Sequence, residues 1–130
     1  MNIHESAEDY LEMIIMLREE KGYVRSVDIA AALSVTKPSV SYAMKQLREN
    51  GYITMDKDNF IFLTVAGENI ARSVYKRHRT LTRFLNLLGV DEKIAYEDAC
   101  RIEHDLSEES FQAIAAHVEW FLTQKSTSPD

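Results

Sequence analysis

The sequence is poor in the residues that characterise extracellular, fibrous and disordered proteins. Its 130 residues include one cysteine, so no disulfide can form within the chain, and a lone thiol is typical of a reducing compartment. Four glycines and two prolines are too few for a collagen-like or low-complexity chain. Hydrophobic residues make up 45% and charged residues 28%, which indicates an ordinary globular protein.

Features of exported and membrane proteins are missing as well. No apolar run approaches the length that spans a bilayer. The N-terminal segment carries Glu5, Glu8, Asp9 and Glu12, where a secretory signal has basic and then apolar residues. These absences predict a cytoplasmic protein with no membrane partner.

Charge is distributed unevenly along the chain. The net charge is −6, yet residues 24–87 contain ten basic and five acidic side chains, so this stretch carries +5 and the flanks together carry −11. Such asymmetry favours a basic face for a polyanion and acidic segments for a cationic partner. A merely solvated surface is the alternative interpretation.

Periodicity, capping residues and turn residues predict six helices and one β-hairpin. The helices are expected at about 6–21, 26–33, 37–50, 65–88, 93–104 and 107–123, and the strands at 52–55 and 60–63. This order predicts a mainly α fold: an N-terminal winged helix-turn-helix with a small β-hairpin wing, followed by an all-helical domain. The expected boundaries are 1–66 for the DNA-binding domain, 67–124 for a helical metal-binding and dimerisation domain, and 125–130 for a flexible tail.

The third helix has the pattern of a DNA-recognition helix. Thr36 can cap it, Pro38 suits its first turn, and Val40, Met44 and Leu47 form a buried stripe. Its other faces are small, polar and basic, which suits base edges and phosphates. The predicted DNA-binding residues are Arg25, Thr36, Lys37, Pro38, Ser39, Ser41, Tyr42, Lys45 and Lys57. A protein-interaction module is the alternative.

A second pattern carries metal chemistry. Cys100, Glu103 and His104 are spaced i, i+3 and i+4, so a helix presents a thiol, a carboxylate and an imidazole on one face. That mixture suits a first-row divalent ion, but three groups do not close a coordination shell. Asp9 and Glu12 on the first helix, and His78 on the fourth, are the candidate additional ligands.

Each candidate also has an ordinary role open to it. Cys100 could be a small buried hydrophobe, and His78 could belong to a solvated basic face with its neighbours Lys76, Arg77 and Arg79. Acids in a first helical turn are favoured by the helix dipole alone. Residue chemistry by itself leaves metal binding and these ordinary roles equally open.

Taken together, several segments resemble the diphtheria-toxin-repressor and manganese-transport-regulator family of metalloregulators. The resemblance covers about 7–122 and is carried by Glu8-Asp9-Tyr10-Leu11-Glu12, Thr36-Lys37-Pro38-Ser39-Val40-Ser41, Leu63-Thr64-Val65-Ala66-Gly67, Arg77-His78 and Asp98-Ala99-Cys100-Arg101-Ile102-Glu103-His104. It implies a homodimer that binds a palindromic operator on double-stranded DNA, usually upstream of metal-uptake genes, with metal as corepressor. The length fits the shorter layout, without a third, barrel-like domain.

The ligands that the resemblance implies are Asp9, Glu12, His78, Cys100, Glu103 and His104. Asp9 and Glu12 match the manganese type, whereas Cys100 replaces that type's glutamate and matches the iron type's cysteine. The other three match both types. The iron type's ancillary site has a glutamate and a histidine where this chain has Thr82 and Tyr96. Mn²⁺ and Fe²⁺ are therefore the expected cofactors, with Co²⁺, Zn²⁺, Ni²⁺ or Cd²⁺ as surrogates and one or two ions per subunit.

The expected function is a metal-dependent transcriptional regulator, most simply a repressor, that has no enzymatic activity and no organic substrate. The dimer surface is expected to use Phe84, Leu85, Leu87 and Leu88 with Phe111, Ile114 and Trp120. Three alternatives stay open: a winged-helix regulator of a non-metal ligand, a metal-buffering protein, and a metalloenzyme. The last is disfavoured because no separate general base or phosphate-cradling loop is visible.

Overall fold

The computed structural model describes the backbone of residues 5–127 and the side chains of residues 6–124. The chain divides into two compact units, Met1–Tyr75 and Lys76–Asp130. The elements are α1 (Glu5–Lys21), α2 (Ser26–Leu33), α3 (Lys37–Glu49), β1 (Ile53–Met55), β2 (Ile61–Leu63), α4 (Val65–Leu87), α5 (Glu92–Ile102) and α6 (Glu108–Thr127). Within the described range, no helix is both long and apolar enough to cross a membrane.

The helices of the first unit begin and end where the local chemistry dictates. After α1, Gly22 adopts φ +86°, and its N–H donates to the carbonyl of Arg18 at 2.8 Å. Asp28 accepts from the Arg25 N–H at 2.9 Å and fixes the start of α2. Thr36 caps α3 by accepting from the Ser39 N–H at 3.3 Å. The predicted cap of the recognition helix is confirmed.

One apolar core holds α1, α2, α3 and the hairpin together. The stripe predicted on α3 is buried, and it packs with apolar side chains of α1, α2 and both strands. The largest of these fully buried side chains are Leu11, Ile14, Ile15, Ile29, Val40, Met44 and Ile53. Because this stripe faces the core, the opposite face of α3 is left to solvent.

The wing is a two-stranded antiparallel hairpin. Ile53 pairs with Leu63 and Met55 with Ile61. The Asp56 carboxylate accepts from the N–H groups of Asp58 and Phe60, both at 2.9 Å, which closes the turn. The predicted hairpin is confirmed, and each strand is one residue shorter than expected.

The start of α4 is fixed to the first unit by close packing and an ion-pair network. The Thr64 hydroxyl donates to the Gly51 carbonyl at 2.7 Å and accepts from the Gly67 N–H at 3.1 Å. Arg18 of α1 forms a bidentate ion pair with Glu68, in which its two terminal nitrogens donate to the two carboxylate oxygens, each at 2.7 Å. The hydrogen bonds from Arg18 lower the pKa of Glu68 and outweigh the opposing effect of burial.

The second unit contains the remainder of α4 with α5 and α6. Its buried apolar side chains are Leu81, Ala95, Ala99, Phe111 and Val118. Asp91 caps α5 by accepting from the Lys93 N–H at 3.2 Å. Helix α6 continues to Thr127, past the predicted end at about Thr123, so three residues of the expected tail are helical. The predicted flexibility of 128–130 lies outside the described residues.

Candidate metal centre and nucleic-acid interface

His78 lies at the centre of a buried polar cluster in the second unit. It comes from the middle of α4 and is 4% exposed. Its Nδ1 atom lies 3.0 Å from Glu103 Oε2 and 3.7 Å from Cys100 Sγ. The interpretation of His78 as part of a solvated basic face is therefore wrong, because the ring points away from the exposed side of the helix.

Glu103 and His104 complete this cluster. The Glu103 side chain has no exposed surface, that of His104 is 3% exposed, and His104 Nε2 lies 3.4 Å from Glu103 Oε1. The Glu103 carboxylate thus lies between two imidazoles. A carboxyl group buried this deeply is either protonated or, when ionised, needs positive charge beside it.

The end of α5 determines how the motif is presented. The helix stops at Ile102, two residues before its predicted end, and Glu103 forms the C-cap with φ −60° and ψ −27°. These angles are helical, so Glu103 keeps the direction that the spacing from Cys100 predicts. His104 follows in the turn after α5, and from there its imidazole reaches the Glu103 carboxylate.

The donor chemistry fits a first-row divalent ion. Imidazole and thiolate suit the softer ions of that series and carboxylate suits the harder ones. We refer to His78, Cys100, Glu103 and His104 as the 78/100 cluster. Its four donors lie on α4 and α5 and the turn after α5, and each can bind a cation in its deprotonated form.

Thr82 and Tyr96, which replace two residues of the iron-type ancillary site, make other contacts in this chain. The Thr82 hydroxyl donates to the His78 carbonyl at 2.7 Å. The Tyr96 ring meets the His78 ring edge to face, with centroids 4.4 Å apart and an 80° interplanar angle. The Tyr96 ring therefore packs against the His78 imidazole, whereas the Thr82 hydroxyl bonds the His78 backbone.

The other two predicted ligands belong to the first unit. Asp9 and Glu12 lie on α1 with the i, i+3 spacing that places them on one face. Asp9 is partly buried, and Glu12 is 6% exposed. Glu12 thus shares the low exposure of His78 and Glu103, which is unusual for a carboxylate.

The nine residues predicted to bind DNA are all exposed and all lie in the first unit. On α3, Ser39 and Ser41 lie on the two flanks of the buried stripe and Lys45 lies farther from it, and all three are exposed. Tyr42 is 67% exposed, although it is a large aromatic residue. The N-terminal part of α3 thus presents a polar and basic surface with the chemistry of a groove-binding helix.

Phe60 is a residue that sequence reasoning missed. The Arg25 guanidinium lies over its ring, 4.2 Å from the centroid, and Tyr23 packs edge to face on the same ring at 5.9 Å. The contact joins the start of α2 to the wing and restricts a long basic side chain. The sequence signal was an aromatic residue beside the hairpin turn, which alone indicates only strand propensity.

A winged helix-turn-helix with an exposed basic recognition helix, in one chain with a cluster of a partly buried thiol and a buried imidazole and carboxylate, defines the class of metal-dependent DNA-binding transcriptional regulators. Comparison with known families agrees. Residues 2–59 match the model of the iron dependent repressor N-terminal DNA binding domain, and residues 64–129 match that of the iron dependent repressor metal binding and dimerisation domain. The chain belongs to this family, which includes the diphtheria-toxin repressor and the manganese-transport regulator.

Individual relatives cover most of the chain. The HTH-type transcriptional regulator MntR of Bacillus subtilis is 42% identical over 125 residues, which is 96% of this chain and 88% of the relative. The manganese regulator SloR has a similar structure, with a TM-score of 0.72 and 31% identity over 95% of this chain. The IdeR of T. acidophilum gives a TM-score of 0.77 and 29% identity over 90% of this chain. The chain spans 55% of each of these two solved structures.

Proposed function

We propose that the chain is a transcriptional repressor that takes Mn²⁺ or Fe²⁺ as corepressor and binds a palindromic operator as a homodimer. The observation that carries this proposal is the 78/100 cluster, in which a buried carboxylate, two imidazoles and a thiol lie within hydrogen-bond or near-contact distance. Imidazole, thiolate and carboxylate are all common ligands of divalent cations. The proposal includes no catalytic role and no organic substrate.

The proposed ligands are the 78/100 cluster together with Asp9 and Glu12. The first four are supported by the contacts within the second unit, and the two acids by the family resemblance and by the low exposure of Glu12. A bound ion supplies the positive charge that compensates the carboxylates and the thiolate. Because the ligands come from both units, ion binding and DNA binding are expected to be thermodynamically coupled.

The metal specificity follows from the mixture of donors. Oxygen ligands favour Mn²⁺, whereas thiolate favours Fe²⁺, Co²⁺ and Zn²⁺. Asp9 and Glu12 support the first choice and Cys100 supports the second. The relatives divide in the same way, since SloR is described as a manganese regulator and the family models as iron dependent.

The proposed DNA contacts are the nine exposed residues of the first unit, with Lys37 and Lys45 supplying the phosphate attraction. The proposed dimer surface belongs to the second unit, where Leu88 and Trp120 are 66% and 57% exposed. Phe111 is 3% exposed and fills the core of its own unit, so it is not available to a partner subunit. A cytoplasmic location is part of the proposal, because operator DNA and a reduced thiol both require it.

The decisive experiment is an anaerobic calorimetric titration of the chelator-treated protein with MnCl₂ and then with a ferrous salt. We expect saturable binding of one or two ions per subunit. One ion with Fe²⁺ preferred assigns the site to Cys100, and two ions with Mn²⁺ bound well assign it to the carboxylates. Absence of binding by either ion would overturn the metal arm of the proposal.

DNA recognition is tested separately by selection from a random double-stranded library. With Mn²⁺ or Fe²⁺ present we expect a palindromic sequence to be enriched, and with chelator present we expect no enrichment. The selected duplex should in turn tighten metal binding by the same factor as metal tightens DNA binding. Equal metal affinity with and without the duplex would contradict the coupling.

A further inference from the structure

The turn between α5 and α6 carries two of the proposed ligands, Glu103 and His104. It begins at Glu103 and ends where α6 starts at Glu108. Backbone bonds to the Ile102 carbonyl, from the N–H groups of Asp105 at 3.1 Å and Leu106 at 3.2 Å, give it a tight bend. Carbonyls that follow a helix end lack intrahelical donors and need partners from elsewhere.

Arg77 provides those partners. One terminal nitrogen, NH1, donates to the Glu103 carbonyl at 3.1 Å and to the Leu106 carbonyl at 2.7 Å. The other, NH2, donates to the Glu108 carboxylate at 2.7 Å. The guanidinium also lies 5.1 Å from the centroid of the Phe111 ring. One side chain of α4 therefore contacts the start of the turn, its end and the first turn of α6.

The Arg77 side chain is unusually buried for an arginine. It is 15% exposed, whereas that of Arg101 on α5 is 72% exposed and pairs with Asp98. Hydrogen bonds from Gln112 and from Arg77 lower the pKa of Glu108, so this carboxylate is ionised at neutral pH. A guanidinium suits the task because its planar fork reaches several acceptors at fixed angles, which an ammonium group cannot reproduce.

We propose that Arg77 is a positioning residue for the metal centre, which holds Glu103 and His104 in register with His78 through its bonds to the turn carbonyls. Arg77 precedes His78 directly, so the same turn of α4 presents one ligand and anchors the segment that carries two others. The inference rests on the proposed function. Partners that orient ligands in this way commonly contribute about 10–100-fold to metal affinity.

The test compares Arg77→Met with Arg101→Met, which removes a guanidinium from an exposed site next to Cys100. Metal affinity is measured by titration of the chelator-treated full chain with MnCl₂. The visible spectrum with CoCl₂ reports coordination geometry and thiolate ligation independently of DNA binding. For Arg77→Met we expect a loss of about tenfold or more in Mn²⁺ affinity and an altered Co²⁺ spectrum, and for Arg101→Met neither change.

Two further variants keep the test decisive if Arg77→Met does not fold. Arg77→Lys retains the charge and most of the stem, and we expect it to fold with weakened Mn²⁺ binding. Glu108→Gln removes the charged partner but leaves both carbonyl bonds, so we expect affinity near that of the unaltered chain. Unchanged affinity and spectrum in a folded Arg77 variant, or an equal loss in Glu108→Gln, overturns the inference. Failure of the unaltered chain to bind metal instead overturns the proposed function.

Discussion

His78 Nδ1 lies 3.0 Å from Glu103 Oε2, although 25 positions separate the two residues in the sequence. Both side chains are buried, and Cys100 approaches the same nitrogen from the preceding turn of α5. An imidazole, a carboxylate and a thiol each bind a cation in the deprotonated form. Ion binding at this place therefore competes with protons, which makes metal affinity a function of pH.

Replacement of Cys100 with serine tests whether the thiol is a ligand. We expect Cys100→Ser to lower Zn²⁺ and Co²⁺ affinity by about tenfold or more and Mn²⁺ affinity by less, because oxygen replaces sulfur. The thiolate-to-cobalt absorption band should also disappear. Competitive metal titration gives the ranking, and the unaltered chain is the reference. An unchanged ranking of the three ions would show that Cys100 only packs between the helices.

Arg25, whose guanidinium packs on the Phe60 ring, is predicted to contact a DNA phosphate. Arg25→Met should weaken binding to all duplexes by a similar factor and reduce the slope of log affinity against log salt by about one unit. Fluorescence anisotropy at several salt concentrations measures both quantities. Phe60→Leu keeps the charge and should leave the slope unchanged while lowering affinity, because Arg25 then has more conformations to lose. A salt slope unaffected by Arg25→Met excludes the phosphate contact.

Gly67 is required by a close approach between α4 and the residue before the wing. A Cβ atom at this position would meet the Tyr52 carbonyl oxygen, at a distance that no real contact permits. Alanine favours a helix over glycine by about 1 kcal/mol, but the overpacking penalty is about 1–3 kcal/mol and is largest against backbone. Gly67→Ala should therefore lower the free energy of unfolding.

Chemical denaturation measures that change. Ala66→Gly is the matched control, because Ala66 is exposed on the same turn and its replacement reports propensity alone. We expect a loss of about 1 kcal/mol in this control. Stabilisation by Gly67→Ala would mean that the backbone of Tyr52 moves away at no cost.

The Arg18–Glu68 pair predicts a specific pH dependence of stability. Because the hydrogen bonds from Arg18 lower the pKa of folded Glu68, its contribution is fully present above the unfolded pKa of about 4.3 and is lost as the pH falls through the folded value. The pair is partly exposed, so Glu68→Gln should cost about 1 kcal/mol at neutral pH.

The difference between the unaltered chain and Glu68→Gln should accordingly shrink as the pH falls below about 4.3. Urea denaturation of both proteins at neutral and acidic pH measures it. Glu119→Gln on α6 is a suitable control, since Glu119 is exposed and far from this network in sequence. If the free energies of unfolding of the unaltered chain and of Glu68→Gln differed by the same amount over the whole pH range, the loss in Glu68→Gln would be assigned to packing.

The local elements were predictable because their signals are local. Thr36 caps α3 and Asp56 closes the wing through contacts with residues at most four positions away, so the sequence pattern contains both partners. The buried stripe of α3 follows from helical periodicity in the same way. The family resemblance then predicted which polar residues of distant segments are the metal ligands.

The end of α5 was not predictable by these means. The pattern from Lys93 to His104 is continuously compatible with a helix, but the chain turns after Ile102, and Arg77 bonds the carbonyls that follow. That contact joins residues 26 and 29 positions apart. No periodicity within α5 contains information about it.

The sequence by itself determined the order of the helices, the wing and the set of candidate ligands, since caps, turns and spacing depend on neighbouring residues. Only the tertiary structure decided that His78 is buried although its neighbours in the sequence are basic. The same holds for the hydrogen bonds from Arg77 to the carbonyls of the turn after α5, and for the packing of Arg25 on the Phe60 ring. The physical reason is the same in each case. The direction in which a long or amphipathic side chain points depends on which acceptors and rings the fold brings to it, and those partners lie far away along the chain.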